Sequence, residues 1–142
     1  MSDDRFLMPE ELWLGQPSID AQHAVLFALF DEVKRALRDH TEGFAMGFVL
    51  AGLRTYTKTH FKFEETMMSP DGYSGRTAHL VEHRAFEKQV ESLGDRFLAI
   101  HDPDEKHQLA EETQAFLYSW LANHITVIDK KFCKILEGRA SI

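Results

Sequence analysis

Three short interruptions divide this chain into four long stretches of helical periodicity. The first stretch carries Ile19, Val25, Leu26, Leu29, Phe30, Val33 and Leu37, a recurrence that marks one apolar helical face. Ser18 or Asp20 is placed to cap its free N–H groups, and the pattern fades at residues 39–41. The second helix is predicted over residues 42–68, with Phe44, Phe48, Leu53, Tyr56, Phe63 and Met67 along it. Ser69-Pro70-Asp71-Gly72 is a stop and turn signal. The third is predicted over residues 76–100, through Leu80, Val81, Phe86, Val90, Leu93 and Phe97. His101-Asp102-Pro103-Asp104 ends it, and Asp102 or Asp104 can cap a fourth helix running to about residue 137. Leu109, Phe116, Leu117, Trp120, Leu121, Ile125, Ile128, Phe132 and Leu136 form the apolar face of that last helix. Helices joined by loops this short pack as antiparallel neighbours. The expected fold is therefore all-α, an up-down-up-down antiparallel four-helix bundle. Residues 1–17 read as an N-terminal arm, broken by Pro9 and Gly15-Gln16-Pro17 and docked through Leu12, Trp13 and Leu14.

With 142 residues the chain is read as a single domain, the bundle occupying residues 18–137. Its 11 phenylalanines suit a bulky aromatic core. A formal net charge of -7 argues against a nucleic-acid partner, which would favour basic surface. Cys133 is the one cysteine, so no intramolecular disulfide can form, and its apolar neighbours mark it as a buried thiol. The N-terminal residues are acidic and lead into no apolar segment, so no secretory signal is expected. The longest weakly polar run, residues 44–53, is about half a membrane span. The expected location is cytoplasmic, with no membrane partner.

Seven polar residues interrupt the apolar faces: His23 on the first helix, His60 and Glu64 on the second, His79 and His83 on the third, His124 and Asp129 on the fourth. The pairs His60/Glu64 and His79/His83 are four apart, which places each pair on one helical face. His124 and Asp129 are five apart, about 140° around an ideal α-helix. Such a pair does not easily hold one small ion, but it can straddle a two-metal centre. In an antiparallel bundle all four groups fall at one end. At about 1.5 Å rise per residue their levels agree to within roughly 10 Å. Burying five histidines and two acids at one level without a partner is costly. A pair of metal ions removes that cost: five neutral imidazoles and two carboxylates give -2, two divalent ions +4, and a hydroxide bridge leaves +1. Imidazole suits Fe, Zn, Cu and Ni. No Glu stands three residues before any His, unlike the Glu-x-x-His repeat of carboxylate oxidases. His40, His101 and His107 sit at helix ends or loops and read as ordinary surface residues. No Ser, Cys or Lys is placed as a nucleophile, so no catalytic residue and no enzyme activity are expected.

Ile19-Asp20-Ala21-Gln22-His23, His60-Phe61-Lys62-Phe63-Glu64-Glu65, Gly72-Tyr73, His79-Leu80-Val81-Glu82-His83 and Trp120-Leu121-Ala122-Asn123-His124-Ile125 with Asp129 together resemble the hemerythrin family, specifically the single-domain bacterial hemerythrins. The resemblance spans residues 13–132. It implies a non-haem centre of two Fe ions with an oxo or hydroxo bridge, binding O2 reversibly for storage, delivery or sensing. By the family pattern His79, His83 and His124 would hold one iron. His23 and His60 would hold the other and leave one position open to O2, NO, azide or another small anion. Glu64 and Asp129 would bridge the two. Leu26, Phe61, Trp120, Leu121 and Ile125 match the family's apolar O2-pocket positions. Glu65 and Glu82, beside ligands, are expected to point to solvent. Tyr56, one turn before His60, is a possible supporting partner of it. Ser74 stands where the family often has Pro, and Met8 about where many members have Trp. The alternatives are a di-iron enzyme acting on peroxide, O2 or NO, and a signalling module whose metal state alters a partner surface.

Overall fold

In a computed structural model, residue 12 and residues 14–68, 75–130 and 133–134 are described. Helix α1 spans Pro17–Asp39. Helix α2 is a composite: an α segment Glu42–Tyr56, a π segment Thr57–Phe61 and an α segment Lys62–Met68. Helix α3 spans Arg76–Ala99. Helix α4 runs as α over Pro103–Ser119 and as π over Trp120–Asp129. Residues 1–11 and 13, with Met8, and residues 69–74, with the expected turn signal, Gly72-Tyr73 and Ser74, lie outside the described residues, as do Phe132 and Leu136.

Each helix packs on its sequence neighbour, and α1 also packs on α4, which closes the ring of four. The neighbours run antiparallel. Gly47, early in α2, faces Phe97 at the end of α3, whereas Glu42, the first residue of α2, meets His107 near the start of α4, as befits alternate helices that run parallel. Leu26, Val33, Leu53, Leu93, Leu109, Leu117 and Ile125 are fully buried along the axis. Each such side chain contributes about 1.5–3 kcal/mol. Leu12 joins this core and Leu14 packs against it, so the described end of the arm is docked. Cys133 is buried. Where α1 meets α2, Gly52 leaves room for the Leu29 side chain, since a Cβ there would stand 2.9 Å from Leu29 Cδ2.

Two expectations change, and the choice of cap for the fourth helix is decided. Neither Ser18 nor Asp20 caps α1: Gln16 occupies the cap position and Pro17 the first turn, where a missing N–H costs nothing. Asp20 is instead buried within that turn and reaches back, accepting the Leu14 N–H at 2.8 Å and the Gly15 N–H at 3.0 Å. Val25, Phe44, Phe48 and Val81 are exposed, because they fall outside the stripe each helix turns inward. Phe44 and Phe48 pack on each other at the surface, their ring centroids 5.6 Å apart. At the fourth helix, Asp102 is the cap, accepting the Asp104 N–H at 3.1 Å ahead of Pro103. Among the described residues no helix is long and apolar enough to cross a membrane.

Candidate metal centre

His23, His60, Glu64, His79, His83, His124 and Asp129 converge at one end of the bundle, and each is at most 2% exposed. They form two overlapping groups. One ligand atom from each of Glu64, His79, His83, His124 and Asp129 lies within 4.8 Å of all the others. The same bound holds for His23, His60, Glu64 and Asp129. Both carboxylates are common to the two groups, so three imidazoles gather on one side and two on the other. Asp129 spans the sides: Oδ1 is 2.9 Å from His79 Nε2 and 3.1 Å from His124 Nε2, while Oδ2 is 3.1 Å from His23 Nε2. Glu64 Oε1 lies 3.1 Å from His83 Nε2, 3.5 Å from His79 Nε2 and 3.4 Å from His60 Nε2.

The winding of α4 explains how Asp129 reaches His124. An α-helix would set residues five apart about 140° from one another. Both residues lie in the π segment Trp120–Asp129, whose hydrogen bonds close from i to i+5. That turn brings the fifth residue back over the first, and the pair shares one face. His60 also stands in a π segment, Thr57–Phe61.

Three residues adjoining ligands in sequence hold the imidazoles of the next helix. Gln22, beside His23 on α1, accepts from His60 Nδ1 on α2 through its Oε1. Glu65, beside Glu64 on α2, accepts from His83 Nδ1 on α3 at 2.9 Å. Glu82, beside His83 on α3, accepts from His124 Nδ1 on α4 at 2.7 Å. Arg84 fixes Glu65 in turn and also donates to Glu87 at 2.6 Å. An oxygen that can only accept requires the hydrogen on Nδ1, which leaves the Nε2 lone pair facing the centre. The expectation that Glu65 and Glu82 point to solvent is thus corrected. A residue next to an inward position lies at the seam with the neighbouring helix. Sequence adjacency to the ligands was the available signal, and for Gln22 it went unread.

The rings around the centre are aromatic. Phe61 stacks on His83 with centroids 3.9 Å apart and planes 4° from parallel. Trp120 stacks on His124 at 3.8 Å and 12°. Leu26, Leu121 and Ile125 are buried in the same cluster. Tyr56 stacks on His60 at 4.9 Å and 14° but makes no hydrogen bond to it, so it supports that ring by its face. Its hydroxyl is buried without a hydrogen-bond partner among the described residues. Burial, with the charges of Asp129 and Glu64 near it, pushes this phenol well above its usual range, so it stays protonated.

The centre is electrostatically incomplete as protein alone. Both oxygens of Glu64 and of Asp129, both nitrogens of His23, and Nε2 of His83 and His124 are buried with no hydrogen-bond partner among the described residues. Each orphaned group costs about 1–3 kcal/mol, and more when charged. Burial opposes ionisation of Asp129, but His124, His23 and His79 outweigh it and hold the carboxyl well below the usual range. Burial and Asp129 oppose ionisation of Glu64, yet His60, His79 and His83 keep it low as well. Burial alone would lower the His79 pKa, but the close approach of Asp129 and Glu64 raises it to about 9. Burial is not outweighed at His60, whose pKa falls below the ordinary value. Buried lone pairs and anionic oxygens that converge without well-formed hydrogen bonds fit cations. All seven residues singled out in the sequence are brought together here.

The family model described as hemerythrin HHE cation binding domain matches residues 15–136. A bacteriohemerythrin of Stenotrophomonas maltophilia is 31% identical over 123 residues, covering 87% of this chain and 76% of that protein. A bacteriohemerythrin of Pseudomonas aeruginosa is 33% identical over 116 residues, covering 82% of this chain and 71% of that one. A myohemerythrin of Riftia pachyptila is 30% identical over 127 residues, covering 89% and 90%.

Proposed function

We propose that this chain, which belongs to the hemerythrin family, binds O2 reversibly at a pair of iron ions held between its four helices. The observation that carries the reading is the pair of overlapping donor groups with Glu64 and Asp129 common to both. His79, His83 and His124 would hold one ion, and His23 and His60 the other. Glu64 and Asp129 would serve both, with an oxo or hydroxo group completing the bridge. Bound, reduced iron would supply the two electrons that reversible O2 binding needs.

The chain's own residues do the rest. Gln22, Glu65 and Glu82 fix three imidazole planes, so the donors are oriented before a metal arrives. Phe61, Trp120, Leu26, Leu121 and Ile125 exclude water, and a hydrophobic shell of this kind controls solvent access and redox potential. The unequal division of imidazoles leaves the His23/His60 side with fewer donors, and that side would take the ligand. Storage, delivery or sensing of O2 requires such a position without turnover.

The test is to add O2 to anaerobically reduced, iron-loaded protein and record its visible spectrum. A band that forms with O2 and disappears on its removal is expected. No reversible band would refute the reading. Steady-state turnover of peroxide or NO well above that of free iron would replace it with an enzymatic one.

A further inference from the structure

The far end of the bundle carries a second convergence of donors, two of which, His40 and His107, the sequence alone reads as ordinary surface residues. His40 closes α1 in the left-handed conformation, with φ 56° and ψ 42°. Glu42 opens α2 and is only 6% exposed. His107, half-exposed, lies near the start of α4, 65 residues away in sequence, and its Nδ1 donates to Glu42 Oε1 at 2.5 Å. The His40 and His107 rings lie 6.1 Å apart and 22° from parallel. One ligand atom from each of the three residues lies within 4.8 Å of the others. With Gly43, Pro103, Asp104 and Lys106 they line a surface cavity of about 510 Å³.

Glu42 supplies the second, independent observation. Its Oε2 is buried and has no hydrogen-bond partner among the described residues. One oxygen accepts from His107, and the other is desolvated behind the cavity wall. An ordinary surface ion pair would turn both oxygens to water. The imidazole of His40 offers a further lone pair, and Lys106 is the one cation on the cavity wall. A second carboxylate stands beside His107, Glu111 Oε1 lying 3.4 Å from its Nε2.

We propose that His40, Glu42 and His107 form a mononuclear site for a borderline divalent cation, with Zn2+ as its representative. Two imidazoles and one carboxylate are the donor set such ions prefer, and the cavity leaves room for water in the remaining position. Metal bonds of about 2.0–2.2 Å set tetrahedral donors roughly 3.3–3.5 Å apart. The ion would replace the proton that His107 Nδ1 donates to Glu42 Oε1, releasing it to solvent, while the pair opens to that separation and rotation of the exposed His40 ring completes the set. The ion would tie the α1–α2 connection to the start of α4, at the opposite end from the iron centre and independently of it.

The experiment titrates ZnCl2 into the iron-loaded full chain and measures bound zinc and retained iron after equilibrium dialysis. His40→Asn is the first variant, since Asn tolerates the left-handed backbone. His107→Gln is the second, since its amide can still donate to Glu42. The unaltered chain is expected to bind one zinc more than the double variant, at equal iron content, and each single variant to weaken that zinc at least about tenfold. Co2+ in place of Zn2+ should give a visible spectrum that the double variant lacks. Equal zinc in the unaltered chain and the double variant overturns the proposal, as does zinc uptake matched one for one by iron released.

Discussion

Replacing Tyr56 by Phe should stabilise the metal-free protein. In most buried positions this substitution costs stability, because a hydrogen bond is lost. Here the hydroxyl is buried and makes none among the described residues. Removing an unsatisfied buried donor recovers about 1–3 kcal/mol of desolvation. The opposing term is the void left by one oxygen, roughly 10 Å³, which costs about 0.2 kcal/mol at about 24 cal/mol per Å³. The stack on His60 is kept, since the Phe ring occupies the same plane. The net gain is about 1–3 kcal/mol. For a chain of this size about 3–4 °C accompanies each kcal/mol, so Tm should rise by about 3–12 °C. Thermal and urea unfolding followed by circular dichroism, on protein stripped with a chelator, measures it. Tyr118→Phe is the control: that residue is 64% exposed, and its change should stay within about 0.5 kcal/mol. A Tyr56→Phe protein no more stable than the parent would show that the hydroxyl is satisfied, and the reasoning would fail.

Other outcomes follow from the same geometry. Phe61→Ala removes a fully buried ring stacked on His83 and should cost about 3–5 kcal/mol in unfolding free energy, while admitting water and shortening the life of the O2-bound form. Glu82→Ala removes the acceptor for His124 Nδ1 and should weaken metal binding by about 10–100-fold in chelator competition, with helical content unchanged. His60→Ala or Glu64→Ala should lower the iron content of purified protein; unchanged stoichiometry would refute their assignment. In metal-free protein, His79 has its pKa raised above the unfolded value to about 9, burial opposing the shift and Asp129 and Glu64 outweighing it. A raised folded pKa means that this stabilisation is complete below the unfolded pKa of about 6.5 and is lost as pH rises through about 9. His79→Gln should flatten that part of a urea-midpoint profile.

The helices and the level of the centre were legible because both depend on periodicity. Apolar recurrence locates four rods, the breaks at residues 40–41 and 100–102 separate them, and antiparallel order then brings His23 level with His124. The winding of the rods was not legible. Reading Trp120–Asp129 as α-helix made His124 and Asp129 diverge, because no residue in the segment announces an i-to-i+5 turn. Glu65 and Glu82 were misread for a related reason. Position around one helix says outward, whereas the gap between two helices decides what a long side chain reaches. Phe44 and Phe48 belong to an apolar pattern that continues past the edge of the packed stripe. The meeting of Glu42 with His107 depends on where the starts of α2 and α4 fall in space, which spacing along the chain does not encode.

The π segment of α4 bears on how such centres can be transplanted. His-x-x-x-x-Asp is a phrase whose meaning depends on local winding. Grafted onto the regular helix of another scaffold, the same six residues would point the carboxylate away from the imidazole. A designer who copies residues must therefore also copy the widened turn, or else shift the acid by one position. Deleting one residue between His124 and Asp129 would make the reciprocal change here, giving a spacing of four for an ordinary helix and rotating everything that follows by about 100°. The unit that can be moved between proteins is a stretch of irregular helix together with its side chains.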